Sequence, residues 1–265
     1  MKSVPALKSV SLPALLALLT SVFILASLAS AGGGDPWKSK PYQQWDDKDI
    51  EKIMQFSPWS RTVVIETTWE PLSGSELASL TAATPGATVG TQGSGGAKGG
   101  TSTALPAEHS DSRTRGADAS FSVYWMSSRT MRSAMVRRAV LHGGKDPAEA
   151  DKFVNQQLEA YVVAVKCDDM APFMRNEEKF FQDRASLIVK STKQKIAPTK
   201  IEYQRDPATN KVVGVYFYFS KKGPNGEEII SPQEKGVEFD CRIGNSLLKA
   251  PFEPQKMDDA KGSDL

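Results

Sequence analysis

The run AYVVAVKC at residues 160–167 decides the fold class of this chain. It is apolar on successive positions instead of alternating, which is typical of a short strand covered on both of its faces. Further strand patterns stand before and after this run in the sequence.

The N-terminal half supplies two strands that alternate between apolar and polar side chains. RTVVIETTW covers residues 61–69, and FSVYWMS covers residues 121–127. Between them, residues 73–119 are rich in Gly, Ser and Thr and cannot bury enough apolar surface to repay their ordering entropy. The sequence predicts a hairpin whose connection has grown into a long disordered insertion, because long loops add little closure entropy.

The C-terminal half continues the β pattern. PTKIEYQR at 198–205 and KVVGVYFYF at 211–219 flank a DPATN turn and predict a second hairpin. GVEFDCRI at 236–243 alternates and predicts a strand with four inward side chains, namely Val237, Phe239, Cys241 and Ile243.

Helix start signals stand at three places. Asp46 and Asp49 have capping-box spacing before a short helix, Ser128 precedes a helix from Arg129 to Leu141, and Asp146 precedes Pro147. In the second helix Arg129, Arg132 and Arg137 are expected to reach solvent. The predicted fold class is α+β, with a mainly antiparallel sheet, two or three packed helices and the disordered Gly-rich insertion.

The first residues predict export. Lys2 and Lys8 precede the apolar run SLPALLALLTSVFILASLAS, and Ala29-Ser30-Ala31 fits the small-x-small pattern that a signal peptidase accepts. The alternative is an uncleaved transmembrane helix, since the run approaches the length that spans a bilayer. Pro13 inside the run and the Ala-Ser-Ala end favour cleavage after Ala31.

These patterns divide the chain into four successive parts. Residues 1–31 are a signal peptide, 32–44 an extended leader, and 45–251 a single α+β domain interrupted at 73–119. Residues 252–265 are interpreted as a polar tail.

Composition excludes several kinds of chemistry. The formal net charge is only +2, whereas a nucleic-acid-binding face needs many more basic residues, so no nucleic acid is expected as a partner. There are only two histidines, and no cysteine pair has metal-ligand spacing. The sequence therefore predicts no metal and no cofactor, assigns no catalytic residue, and favours a non-enzymatic protein.

Five residues are candidates for ligand binding: Trp45, Trp59, Arg138, Asp168 and Asp169. The tryptophans lie in a Trp-rich segment that offers either a stacking surface or a core wall. Arg138 falls inside the apolar arc of its helix and is a candidate for binding a carboxylate, although an arginine whose stem packs on apolar surface while its charged end reaches water is the commoner arrangement. Asp168 and Asp169 follow a buried strand, where loops often carry function.

The two cysteines leave a question open. In an exported protein, Cys167 and Cys241 can form one disulfide, or they can remain buried thiols that pack as small hydrophobes.

Several motifs together resemble a family of uncharacterised exported bacterial proteins: KPYQQW at 40–45, SPWSRTVVI at 57–65, FSVYWMSSRTMRSAMVRRAVL at 121–141, KQKIAPTKIEYQR at 193–205 and KGVEFDC at 235–241. The chain is loosely similar to secreted proteins with a GWxTD domain, but the Gly-Trp-x-Thr-Asp string is absent. The resemblance implies export to a bacterial envelope and transfers no catalytic residue.

The expected function is that of an exported envelope protein, periplasmic or secreted, which acts as a binding or structural module. Its expected partner is another envelope protein or a peptide, and it meets the membrane only through the N-terminal segment if that segment is retained. Two alternatives stand beside this. One is a carbohydrate-binding or peptide-binding protein or a hydrolase that uses the Trp-rich segment or Asp168 and Asp169. The other is a membrane-anchored subunit.

Overall fold

The computed structural model describes residues 34–67, 69, 72–81, 118–144 and 146–265. The helices are α1 Pro36–Ser39, α2 Asp47–Phe56, α3 Gly74–Thr81, α4 Arg129–Leu141, α5 Pro147–Asn155 and α6 Ala171–Met174. Short 3-10 turns lie at Tyr42–Gln44, Glu178–Phe181 and Pro254–Lys256. The strands are β1 Ser60–Glu66, β2 Asp118–Trp125, β3 Ala160–Cys167, β4 Ala185–Val189, β5 Lys195–Ile196, β6 Lys200–Arg205, β7 Val212–Ser220, β8 Val237–Ile243, β9 Ser246–Phe252, β10 Asp258–Asp259 and β11 Gly262–Ser263.

The fold is α+β, and its paired strands are antiparallel. A five-stranded sheet has the order β1-β2-β3-β7-β6, so the apolar run at residues 160–167 is its central strand. β1 and β2 pair as predicted, with Val63 opposite Phe121. The hairpin predicted from β6 and β7 is also present.

The strands divide into two main sheets instead of one. A second sheet has the order β5-β4-β8-β9, and β9 was not predicted from the sequence. The sheets meet through buried rings. Phe217 on β7 lies 5.1 Å from Phe239 on β8, and Trp125 on β2 lies 5.3 Å from Phe252 on β9, measured between ring centroids.

Capping groups fix the helices where the sequence indicated. Asp46 and Asp49 form a reciprocal capping box at α2. The Ser128 hydroxyl accepts the amide of Met131 at 3.0 Å and starts α4 at Arg129. These contacts satisfy amide groups that the first turn of a helix leaves without an internal partner.

The interpretation of residues 32–44 as an extended leader is wrong where the structure describes them. Residues 36–39 and 42–44 are helical, and Trp37 is buried against Trp59 with ring centroids 5.7 Å apart. The segment is not extended because burial of the large apolar Trp37 ring holds it against the core.

The insertion at 73–119 also begins and ends with ordered structure. α3 is capped by the Ser73 hydroxyl, and Glu76 on α3 pairs with Arg175 at 2.6 Å. Residues 118–119 belong to β2. The rest of the predicted disordered insertion, residues 82–117, lies outside the described residues.

Residues 252–265 are not a free tail. Phe252, Met257 and Asp264 are all buried, and β10 pairs with β11 in this segment. Polar contacts as well as apolar ones hold this segment against the core. Its polar composition therefore suggested a free tail although the segment is packed. The predicted domain end at residue 251 is therefore too early.

The predicted signal peptide at residues 1–31 lies outside the described residues. Within the described ranges, every helix is too short or too polar to cross a bilayer.

Candidate functional site

One cavity lies beside the start of α4, the end of α5 and the end of β7. It has a volume of about 650 Å³, which falls in the range of small-molecule sites. The residues that determine its chemistry are Ser127, Arg132, Glu159, Tyr161, Lys221 and Glu228. We call this space the basic cavity.

Arg132 is a buried cation in the wall of the basic cavity. Only 5% of its surface is exposed. Its guanidinium donates to the main-chain oxygens of Ser128 at 3.3 Å, Phe153 at 3.3 Å and Gln156 at 2.6 Å. Because these acceptors are neutral, burial dominates and lowers the pKa of Arg132. Buried charges in proteins are normally paired with opposite charges.

Lys221 is a second cation in the wall of the basic cavity, and it is half-buried. Its ammonium donates to the main-chain oxygen of Leu265 at 3.1 Å and lies 5.2 Å from the centre of the Tyr161 ring. Burial lowers the pKa of Lys221, and nearby Arg132 lowers it further. In the part of the chain that the structure describes, no Asp or Glu side chain lies within salt-bridge distance of Arg132 or Lys221.

Arg129 differs from these two cations although it also lines the basic cavity. It forms a salt bridge with Asp259 at 2.9 Å and lies 3.8 Å from the carboxylate of Asp264. Asp264 also accepts the main-chain amides of Arg129 and Thr130. The charge of Arg129 is thus already balanced, and the first turn of α4 has its own acceptor.

Ser127 is a buried polar residue in the wall of the basic cavity. Ser127 is buried, and its Oγ has no hydrogen-bond partner among the described residues. Burying a hydroxyl without a hydrogen bond costs roughly 1–3 kcal/mol. The Ser127 oxygen is itself buried, although the residue lines the basic cavity.

The walls therefore favour a small anion that also carries hydroxyl groups. Arg132 and Lys221 provide positive charge in a partly desolvated space, where charged hydrogen bonds are stronger than in water. Glu159 and Glu228 also line the basic cavity and are exposed, which suits them to accept hydrogen bonds from ligand hydroxyls.

The tryptophans that the sequence proposed as binding residues are buried. Trp59 is fully buried, and its indole nitrogen donates to the main-chain oxygen of Asp264 at 2.7 Å. Trp45 is 3% exposed and donates to the oxygens of Pro36 and Lys40, both at 3.2 Å. This burial favours the core-wall role that the sequence offered as the alternative for Trp45 and Trp59, and their role in ligand binding stays a prediction.

The other predicted binding residues do not come together with the basic cavity. Asp169 accepts the Trp69 indole at 3.0 Å and the Ala171 amide at 2.9 Å, so it fixes the turn before α6. Asp168 and Arg138 are exposed, and neither lines the basic cavity. Arg138 is close enough to Lys166 to lower the pKa of that lysine, so it faces another cation.

Cys167 and Cys241 are both free thiols. Cys167 lies on β3 of the five-stranded sheet and Cys241 on β8 of the second sheet. Burial raises the pKa of each thiol, which keeps both protonated at neutral pH. The structure therefore favours the buried-thiol interpretation over the disulfide.

The described ranges contain no group of three or more His, Cys, Asp or Glu side chains placed to hold a metal ion. The pair Asp168 and Asp169 accordingly gains no third acidic or histidine ligand from the described part of the chain.

Sequence reasoning missed Ser127, Arg132, Tyr161 and Lys221. Arg132 was expected in solvent because helical periodicity places it beside Arg129, and periodicity does not show that the end of α5 covers that face. One signal was available: Arg129 and Arg132 are three residues apart and share a helix face just after a Ser127-Ser128 pair. Lys221 follows β7 directly, at a strand end where loops often carry function.

Comparisons with protein-family models, with curated proteins and with solved structures give no match for this chain.

Proposed function

We propose that this protein is a binding module that holds a small anionic ligand in the basic cavity. Two partly or fully buried cations carry the proposal: both line the basic cavity, and neither forms a salt bridge with an Asp or Glu side chain of the described residues. A ligand carboxylate or phosphate would add a negatively charged acceptor beside Arg132 and Lys221. The role is recognition, since no nucleophile and base are assigned to this space.

We further propose that the binding module works in a bacterial envelope, in the periplasm or as a secreted protein. The support for this setting is the sequence of residues 1–31 and the resemblance of the motifs to exported proteins. Mass spectrometry of the protein recovered from its native cell tests it. A mature chain that starts at Gly32 is expected, and a retained N-terminal segment would favour the membrane-anchored alternative.

Thermal unfolding of the intact protein tests anion binding. A ligand that binds only the folded state raises the melting temperature in proportion to the logarithm of its concentration above the dissociation constant. We expect carboxylates, phosphates or acidic sugars to raise the melting temperature at constant ionic strength, and the matching neutral compounds to have no effect.

Two lysine variants separate the basic cavity from general charge effects. Lys221→Met is expected to remove the anion-dependent rise, while Lys211→Met should keep it because Lys211 is exposed and lies at the far end of the β6–β7 hairpin. Equal responses of the two variants, or no response of the unaltered protein to any anion, would contradict the proposed function.

A further inference from the structure

The wall of the basic cavity carries negative as well as positive side chains. Glu159 directly precedes β3, and Lys221 directly follows β7. Residues 160 and 220 are paired, so these two charged residues are the next positions along the two strands. Both line the basic cavity, yet no salt bridge joins them. Opposite charges therefore stand near each other in this wall without meeting.

Glu228 is a second carboxylate beside Lys221. Its main chain forms a β-bridge with Lys222, and the amide of Ile229 donates to the main-chain oxygen of Lys221 at 3.0 Å. Glu228 lines the basic cavity and forms no salt bridge with the residues that the structure describes. Burial lowers the pKa of Lys221, and Glu228 and Glu159 both oppose that shift, so both glutamates act on the same ammonium group.

Arg132 keeps one donor for a ligand. Its Nε and Nη1 atoms donate to main-chain oxygens, whereas its Nη2 atom donates to no residue in the described ranges. Nη2 differs from the enclosed oxygen of Ser127, because it retains accessible surface in a residue that lines the basic cavity. The rest of Arg132 is buried, so water screens a charge placed beside Nη2 only weakly.

Opposite charges in one wall favour a ligand that carries both signs. A plain carboxylate bound beside Arg132 and Lys221 would also lie near the two glutamates, whose negative charges repel it. An ammonium group on the same ligand turns that repulsion into attraction. It also forms charged hydrogen bonds, which are stronger than those that a neutral hydroxyl group donates.

We propose that the ligand of the basic cavity is an amino acid, whose carboxylate binds beside Arg132 and Lys221 and whose ammonium group binds the two glutamates of the wall. This inference rests on the proposed function, because it names the chemical class of the carboxylate ligand. Acidic sugars such as glucuronate offer hydroxyl groups in place of the ammonium group, so they should bind more weakly.

Calorimetric titration of the full chain compares leucine with its hydroxy-acid analogue, in which a hydroxyl group replaces the ammonium group. Leucine is the probe because Val154, Leu158 and Pro232 give part of the wall an apolar surface. We expect leucine to bind at least about threefold more tightly than the analogue, since an ion pair that water partly screens contributes that much.

A double substitution, Glu159→Gln with Glu228→Gln, should affect the two ligands differently. Leucine should bind about threefold to tenfold more weakly, because the attraction for its ammonium group is lost. The analogue should bind at least as tightly as before, because the repulsion of its carboxylate is removed. Both glutamates are exposed, so the variant should fold. Glu149→Gln is the matched control, exposed on α5 and outside the cavity wall, and should leave both affinities unchanged.

The outcomes separate the two proposals. If the analogue binds through Lys221 as tightly as leucine does, the amino-acid inference is wrong and the proposed function stands. A double variant that weakens both ligands equally would have the same consequence. If leucine, its analogue and glucuronate all fail to bind the unaltered protein, both proposals fail.

Discussion

The indole nitrogen of Trp59 donates a 2.7 Å hydrogen bond to the main-chain oxygen of Asp264, which lies 205 positions later in the chain. The carboxylate of Asp264 in turn accepts the amides of Arg129 and Thr130 at the start of α4. This pair therefore joins the N-terminal core, the last residues and the helix that carries Arg132. The wall of the basic cavity depends on that junction.

Replacing Trp59 by Phe tests the junction. The change leaves the buried Asp264 oxygen without its donor and creates a small void, so it should lower the free energy of unfolding by roughly 2 kcal/mol. Urea unfolding followed by circular dichroism measures the loss.

Trp69→Phe serves as the matched control. Its indole donates at 3.0 Å to Asp169 in a partly exposed site, where water can replace the lost donor. The cost should stay below about 1 kcal/mol. An equal cost for the two substitutions would show that the Trp59 bond has no special role.

Local signals in the sequence predicted much of the fold. Capping at Asp46 and at Ser128 depends on neighbouring residues, and both caps were predicted correctly. The hairpin of β1 and β2 follows from side-chain alternation alone. What could not be predicted is the division into two sheets, because β9 contains LLKAPF, whose pattern is too weak to indicate a strand.

The candidate site depends on contacts between distant segments, and the sequence did not show them. Arg132 is buried because the last turn of α5 presents the oxygens of Phe153 and Gln156 to it. Asp264 is buried in a polar segment through hydrogen bonds, so hydropathy did not place it in the core. Trp45 and Trp59 were recognised as core or ligand residues, and only the packing decides between these roles.

Anion binding should weaken as the pH rises because Lys221 must be charged to hold the ligand. Burial, followed by the charge of Arg132, lowers the pKa of Lys221 below 10.5, while Glu228, Asp264 and Glu159 oppose this shift. The affinity of glucuronate should therefore fall at a lower pH than the pH at which an exposed lysine loses its proton.

Lys221→Arg tests whether Lys221 is the group whose loss of a proton weakens anion binding. Arginine keeps its charge over this range, so the pH dependence of the dissociation constant should flatten in the variant. A fall of the same steepness in both proteins would assign the titration to another group.

The thiol content distinguishes the two interpretations of the cysteines. We expect denatured, unreduced protein to react with two equivalents of a thiol reagent, because Cys167 and Cys241 are both free. In the folded protein Cys167 should react before Cys241, since Cys167 is partly exposed and Cys241 is fully buried. Mass analysis that finds an unmodified pair joined by a disulfide would contradict the structure.

The most direct test of the basic cavity compares two arginines of α4. Arg132 is buried in the cavity wall, whereas Arg138 is exposed and lies outside it. Calorimetric titration with glucuronate should show at least about tenfold weaker binding for Arg132→Met, since a charged hydrogen bond is worth about 1.5–3 kcal/mol. Arg138→Met should bind like the unaltered protein. Equal affinities in all three folded proteins would contradict the claim that the basic cavity binds an anion.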